Sequence, residues 1–534
     1  IADINSWISS WESTWSSWLA DTFQPFKSWA ESSIADINSW ISSWESTWSS
    51  WLADTFQPLQ DLVNTLDATL DVMIDKVRRV HGAVVPLDYP TLQDALSSGE
   101  KIVTVLNGTY EEDVDFHAGE LVTVIGVGQP VISGSVNVTN VRFKGVRFEG
   151  GGTWFGKYDS HSNMTVLSEC TWQSYTIVNI SAKRAVITDV HFWDSDVFIH
   201  GDWVTVDGAK CTSNTGMKWF NVTFYRDTIS NLELCRYSFY CDARWSVVSN
   251  VHGWSDTPVS FIVKNHVVAS GVTLECYSSA SVVVDKWSRL ADSDMTANPG
   301  EIVLGSYGHC VLDNVKANNF HVKVQGEYSI ISSCIITCDH TTEEHIAYEK
   351  MYVVQISAHY CSVVNTKIVM FPYSSTKPWI VRAIIVQSSL LTVIDGCEII
   401  TDAGGIDFAW CYGIIVDSAD SSIISDNCIK LTCGGNPLIE GIYVNSIGNV
   451  IGNNRIWIIG TSDSTNYGIE VVGYYNVIDG NRIGLDTGSS LVGILSGGNN
   501  VIDSNVIYLL NSPSKHGIYH AGSGDVVGDN KVVA

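Results

Sequence analysis

Large apolar side chains recur in steps of three and four at the start of the chain: Ile1, Ile4, Ile8, Trp11, Trp15 and Trp18. This is the spacing of one face of a helix that packs against others. At about 100° per residue, Trp7, Trp11, Trp15 and Trp18 fall within roughly 80° of one another, and Ser9, Ser10, Ser13, Ser16 and Ser17 take the opposite side. The stretch Ile1 to Pro25 returns unchanged as Ile34 to Pro58. Pro25 and Pro58 are expected to begin a new helical segment or a kink, since proline is tolerated in the first turn of a helix. Leu59, Leu62, Leu66, Met73 and Val77 continue the spacing. An isolated amphipathic helix cannot bury its stripe, so a partner is required.

Beyond about residue 100 the pattern changes to β-branched runs that alternate with polar residues between Gly and Asn turns. Segments beginning at Gly413, Gly441, Gly468, Gly493 and Gly517 repeat one another at separations of 28, 27, 25 and 24 residues. Behind them run SIISDNCI, NVIGNNRI, NVIDGNRI, NVIDSNVI and DVVGDNKV, with Asn427, Asn454, Asn481, Asn505 and Asn530 in one common place. Units this short hold no crossover helix, and they predict a parallel β-helix whose windings stack like residue on like. The stacked asparagines are expected to form a hydrogen-bonded ladder. Cys334 and Cys397 fall at the ladder position in upstream units and are expected to pack there.

The segment from Asp88 to Val114 and the run that follows it resemble the opening of the pectin-lyase-like superfamily of right-handed, single-stranded parallel β-helices. The resemblance implies a capping helix at Tyr89 to Leu96 and a first turn at Gly108, Thr109, Tyr110 and Glu111. The later NVIDGNRI units resemble NosD-type and carbohydrate-binding β-helix repeats. The expected organisation is a Trp-rich helical stalk over 1–80, a linker and capping helix over 81–99, and a mainly-β helix of many coils over 100–534.

Composition narrows the function classes. Fifty-seven acidic against thirty basic residues give a net charge of -27 over 534 residues, a field that repels phosphate backbones and anionic lipid. Nucleic acid is excluded as a partner. Trp favours membrane interfaces, but no Lys or Arg precedes Lys27, so membrane contact of the first helix is not favoured over oligomerisation. Thirteen scattered cysteines contain no C-x-x-C pair and read mainly as small buried hydrophobes. Some disulfides would suit a chain outside the cell.

Catalytic signatures are not found. Gly308-His309 lacks the other motifs of polygalacturonases, and Asp194 to Gly201 only faintly resembles a pectin methylesterase segment. Asp339, His340, Glu343, Glu344 and His345 have the wrong register for a zinc helix. No catalytic residue, metal or cofactor is assigned. Carboxylates on neighbouring coils would nonetheless stand at one of the spacings that glycoside hydrolysis uses. Asn107, Asn137, Asn163, Asn179 and Asn221 begin N-x-S/T glycosylation sequons. Trp154, Phe155, Trp193, Trp203, Trp219 and Trp245 supply rings that would stack on sugars where exposed and fill the core where not.

An oligomerising stalk followed by a capped β-helix resembles viral tailspikes and fibres. That implies an extracellular homo-oligomer, a trimer in expectation, joined to virion tail or capsid proteins through Ile4, Ile8, Trp11, Trp15, Trp18, Ile37, Ile41, Trp44, Trp48 and Trp51. The β-helix would bind a host-surface glycan or glycoprotein. Two alternatives stay open: a secreted polysaccharide lyase or glycoside hydrolase, and a cell-surface adhesin or filament subunit.

Overall fold

The computed structural model describes residues 2–51, 60–66, 82–150, 152–155, 164–173, 177–340, 350–372, 380–403, 410–434, 438–461, 463–520 and 523–534. The chain forms two compact units, Ile1–Gly82 and Ala83–Ala534.

In the first unit α1 (Ala2–Trp18) passes through a π-helical turn, Leu19–Phe23, into α2 (Gln24–Trp51). Pro25 stands in the first turn of α2, where its missing N–H costs least, and the wider π turn precedes it. Pro58, Leu59, Met73 and Val77 lie outside the described residues. The Trp stripe is real in both copies. Trp11, Trp15 and Trp18 stack at centroid separations of 5.8 and 5.2 Å, and Trp44, Trp48 and Trp51 at 5.6 and 5.2 Å. All ten predicted contact residues are exposed, from 41% for Ile41 to 61% for Ile4. None of the described helices is long and apolar enough to cross a membrane.

The second unit is a right-handed parallel β-helix in which every strand pairing is parallel. It starts earlier than expected: Ala83–Val85 already pairs with Ile102–Val105, so the first winding precedes residue 100. Thr109–Glu111, expected as a turn, is a strand against Val131–Ser133. The cap is also shorter than expected, Leu92–Ser97 rather than Tyr89 to Leu96. Thr91 sets its start by accepting a hydrogen bond from the Asp94 N–H at 3.0 Å, and Glu112 accepts from the Leu92 and Gln93 N–H groups at 2.9 and 3.0 Å. Leu92, Ala95 and Leu96 are fully buried and close the open end of the core.

Asn427, Asn454, Asn481, Asn505 and Asn530 form the expected ladder, each Nδ2 donating to the next Oδ1 at 2.8–3.0 Å. The Asn Oδ1 also accepts the backbone N–H of the winding before, and Cys397 N–H enters this column at 2.9 Å from Asn427 Oδ1. Cys334 stands two windings upstream, its N–H directed at Thr366 Oγ1. A second ladder, not anticipated, runs five residues ahead of the first through Asn449, Asn476 and Asn500 to Asp525. Each short strand such as Val450–Gly452 is thus held between two columns of buried amides that satisfy the backbone at both bends.

Between the ladders the core is aliphatic late in the chain and aromatic early. Phe148, Trp172 and Phe192 stack at 5.0 and 4.8 Å, and Phe220, Phe239 and Phe261 form a second column on the following windings. All thirteen cysteines are free thiols and eleven are buried. Burial pushes Cys334 up to about 12 and Cys397 up to about 11, which keeps both as inert thiols.

Candidate functional site

The repeated glycines mark where a site is built. In Trp410–Asp417 the inward residues are Cys411, Ile414 and Val416, so the alternation slips at Gly413–Ile414. A Cβ on Gly413 would lie 2.5 Å from Gly441 O, one on Gly441 2.5 Å from Gly468 O, and one on Gly468 2.3 Å from Ile483 Cγ2. Only glycine permits this close passage from winding to winding. The slip turns Tyr412 and Ile415 toward one outer side of a bent strand, and the pattern repeats in Leu438–Asn445 and Thr465–Val471.

Register then assembles the outer face. Arg382, Tyr412, Glu440 and Tyr467 form one column, and Ile385, Ile415, Tyr443 and Glu470 form the next. This face is shielded despite pointing away from the core: Ile385 and Ile415 are 5% exposed and Glu440 is 2% exposed. Tyr412 and Tyr443 meet edge to face with centroids 6.1 Å apart. Trp410, two residues before Tyr412, leaves 41% of its surface open.

Two carboxyls are brought together here. Glu440 and Glu470 stand on consecutive windings and hydrogen-bond to each other. Burial pushes Glu440 up to about 9, and the neighbouring Glu470 charge adds to the rise. Burial raises Glu470 as well, but the hydrogen bond from Glu440 pulls it back. Of the two, Glu440 is therefore the carboxyl that keeps its proton at neutral pH. The buried Oε2 of Glu440 meets no N–H or O–H donor, as suits an oxygen that carries its own proton. Burial, reinforced by Glu440 and Glu470, holds Tyr412 and Tyr467 above the usual phenol range, so they are neutral donors. Tyr443 is raised by burial and by the same two carboxyls, with Glu470 the larger. Burial lowers the Arg382 guanidinium, opposed by Tyr412 and Asp417, and its Nε has no partner.

The residues singled out from sequence lie elsewhere. Asp194 is a turn organiser: its Oδ1 accepts from Ser213 Oγ at 2.8 Å, the Asn214 N–H at 2.8 Å and Thr215 Oγ1 at 2.9 Å. Glu343, Glu344 and His345 lie outside the described residues, as do the side chains of Asp339 and His340. Asn107 and Asn137 are exposed, Asn179 and Asn221 are half-buried within strands, and Asn163 lies outside the described residues. Of the six rings proposed for sugar stacking, Phe155 is in the core, Trp154, Trp203 and Trp245 are exposed, and Trp193 and Trp219 are half-buried. Among the described residues no group of three His, Cys, Asp or Glu is arranged to hold a metal ion. Glu440, Glu470, Tyr412 and Arg382 were not legible in the sequence; their signal is position, with Arg382, Tyr412 and Glu440 immediately before and Glu470 two residues after the repeating small residue in RAII, YGII, EGIY and YGIE.

No family model and no curated protein matches the sequence. Solved structures of similar fold include the A-module of the Azotobacter vinelandii mannuronan C-5 epimerase AlgE6, 14% identical, covering 83% of this chain and 94% of that one, with a TM-score of 0.20. The PL6 family alginate lyase AlyGC is 8% identical over 85% of this chain and 100% of its own, with a TM-score of 0.24. The catalytic domain of a GH87 alpha-1,3-glucanase in complex with nigerose is 12% identical over 83% of this chain and 67% of its own, with a TM-score of 0.17. All three are carbohydrate-active proteins rather than viral spikes. Likeness at this level concerns the solenoid and carries no argument about chemistry.

Proposed function

We propose that the protein cleaves glycosidic bonds, and that the strip around Glu440 and Glu470 is where it does so. The observation that carries this reading is the pair itself: two interacting carboxyls on adjacent windings, the more buried of them held protonated, ringed by three phenols. Glycoside hydrolysis needs a carboxylate to act as nucleophile or base and a proton donor for the leaving oxygen. Glu470 is half-buried and meets the sugar; Glu440, behind it, positions and tunes that carboxylate. Tyr412 or Tyr467 supplies the proton, and Trp410 offers a ring for a pyranose to stack on.

Hydrolysis is favoured over elimination by charge. Elimination requires a uronate next to the broken bond, and the -27 net charge opposes the approach of a polyanion. Such a substrate is met outside the cell. The test is release of reducing ends from dextran, galactomannan and mixed-linkage β-glucan, with alginate and polygalacturonate alongside. Glu470→Gln is expected to lower release about a thousandfold. Release of ultraviolet-absorbing unsaturated uronides would replace hydrolysis by elimination, and no release from any polymer would overturn the reading.

A second reading, a viral tailspike, fibre or adhesin mounted through its helices, is favoured by the exposed Trp stripes of α1 and α2. A trimer, or virion tail and capsid proteins, would bury them. Light scattering of the full chain is expected to give a trimer on this reading, and a monomer contradicts it.

A further inference from the structure

A second line of aromatic rings runs along a different edge of the β-helix. Trp245, His266, Trp287, His309, Tyr328 and Tyr360 occupy the same turn position on six successive windings. Backbone hydrogen bonds fix that correspondence: His266 N–H donates to Lys286 O, Trp287 to Gly308 O, His309 to Glu327 O, Tyr328 to His359 O and Tyr360 to Leu390 O, at 2.7–3.2 Å. Successive rings stack with centroids 4.6, 6.0, 3.6, 4.8 and 4.8 Å apart.

Every one of these residues has a positive φ, between 55° and 68°. Trp and Tyr side chains are unfavourable in the left-handed region, where Gly, Asn, Asp and His are the ordinary choices, so Trp245, Trp287, Tyr328 and Tyr360 are the exceptional members of the line. The opposite turn of the same windings makes those ordinary choices, with Asn250, Gly271, Asp292, Asn314 and Asn365, and the small Ser333 among them, at comparable φ. The gain from ring stacking and the strain of the left-handed conformation are of the same order. Folding therefore gives no reason to prefer six rings here, yet Trp245, Trp287, Tyr328 and Tyr360 stand 41–66% exposed.

Beside the middle of this stack opens a cavity of about 350 Å³. Tyr307, His309, Gln325, Glu327, Ser357 and His359 contribute to its lining. His359 Nδ1 accepts from the Leu390 N–H at 3.0 Å, so its Nε2 carries the ring proton and is a donor. Donors and acceptors are mixed, and Glu327 is the one acid or base of fixed charge in the lining. With Glu327 and no Lys or Arg such a wall does not match a polyanion; its mixed donors and acceptors match hydroxyl groups beside an apolar ring face. We propose that this cavity and its aromatic stack form a glycan-binding site for neutral pyranose residues, separate from the Glu440–Glu470 strip.

The site holds polymer whether or not the strip is reactive, so the two are separable by experiment. The full-length chain is run by affinity electrophoresis through gels containing dextran, galactomannan or mixed-linkage β-glucan, with alginate as the charged comparison. Wild type is expected to be retarded by at least one neutral polymer and not by alginate, whether or not it releases reducing ends from that polymer. Tyr307→Ala, which lies outside the stack, and Trp287→Ala are each expected to weaken retardation tenfold or more; Tyr307→Ala guards against misfolding of the stack variant. Absence of retardation by every neutral polymer, or retardation unchanged in Tyr307→Ala, would overturn the proposal.

Discussion

Glu440 and Glu470, on consecutive windings, share a hydrogen bond in which Glu440 keeps the proton. Neither residue belongs to the repeat that builds the fold. They occupy outer positions of neighbouring strands whose inner positions repeat: Ile442 and Val444 are fully buried between Ile414 and Val416 on one side and Ile469 and Val471 on the other.

A buried carboxyl that stays protonated ties stability to pH. Burial raises Glu440 to about 9 and Asp227 to about 7. Between the ordinary carboxylate range and these values the folded state binds a proton that the unfolded chain has lost. Stability therefore falls as pH rises through this window, by about 1.4 kcal/mol per pH unit for each group. Thermal unfolding from pH 5 to pH 9 is expected to show the fall, and Glu440→Gln with Asp227→Asn is expected to flatten it.

The amide ladder makes position along the helix matter. Asn454 is completely buried and exchanges hydrogen bonds with Asn427, Asn481 and the Ile424 carbonyl. Asn454→Ala strands buried groups on both neighbours, at about 1–3 kcal/mol for each. Asn530 lies at the end of the ladder and is partly exposed. Urea unfolding is expected to show a clearly larger loss for Asn454→Ala than for Asn530→Ala.

Glycines are not equivalent either. A Cβ at Gly441 meets Gly468 O and Ile456 Cγ2 at 2.5 Å, whereas a Cβ at Gly119 meets nothing within 4 Å. Gly441→Ala is expected to cost about 1–3 kcal/mol or more, and Gly119→Ala about 0.5 kcal/mol or less. Paired denaturation curves check the contrast.

Thiol accessibility gives an independent test of winding register. Cys428 is exposed, Cys235 is partly so, and the other eleven cysteines are buried. A thiol-reactive chromophore is expected to label Cys428 first and Cys235 slowly in native protein. The full set should react only after denaturation.

What the sequence revealed followed from repetition. The columns of Asn454 and of Gly441 recur at nearly constant separation, and the Trp stripe of α1 recurs within a single helix. The second ladder was hidden because Asn449, Asn476 and Asn500 give way upstream to Ser422, Thr392 and Cys361, which share small size rather than identity. The stack from Trp245 to Tyr360 was hidden because windings differ in length: Tyr237 follows Lys218 in register, but Val354 is the partner of Val322. The start of the β-helix was placed late because Ala83–Val85 is a three-residue strand with no repeat before it. The outer column is the hardest case, since Arg382, Tyr412, Glu440 and Tyr467 do not repeat from winding to winding and stacking alone puts them side by side.

The shared proton is measured most directly by carbon NMR of protein labelled at the glutamate carboxyls, titrated from pH 3 to pH 10. One carboxyl signal is expected to titrate near 9 and to vanish in Glu440→Gln, with a second, assigned by Glu470→Gln, changing in step with it. If every glutamate titrates in the ordinary range near 4 to 5, Glu440 holds no proton at neutral pH, and the functional account built on it fails.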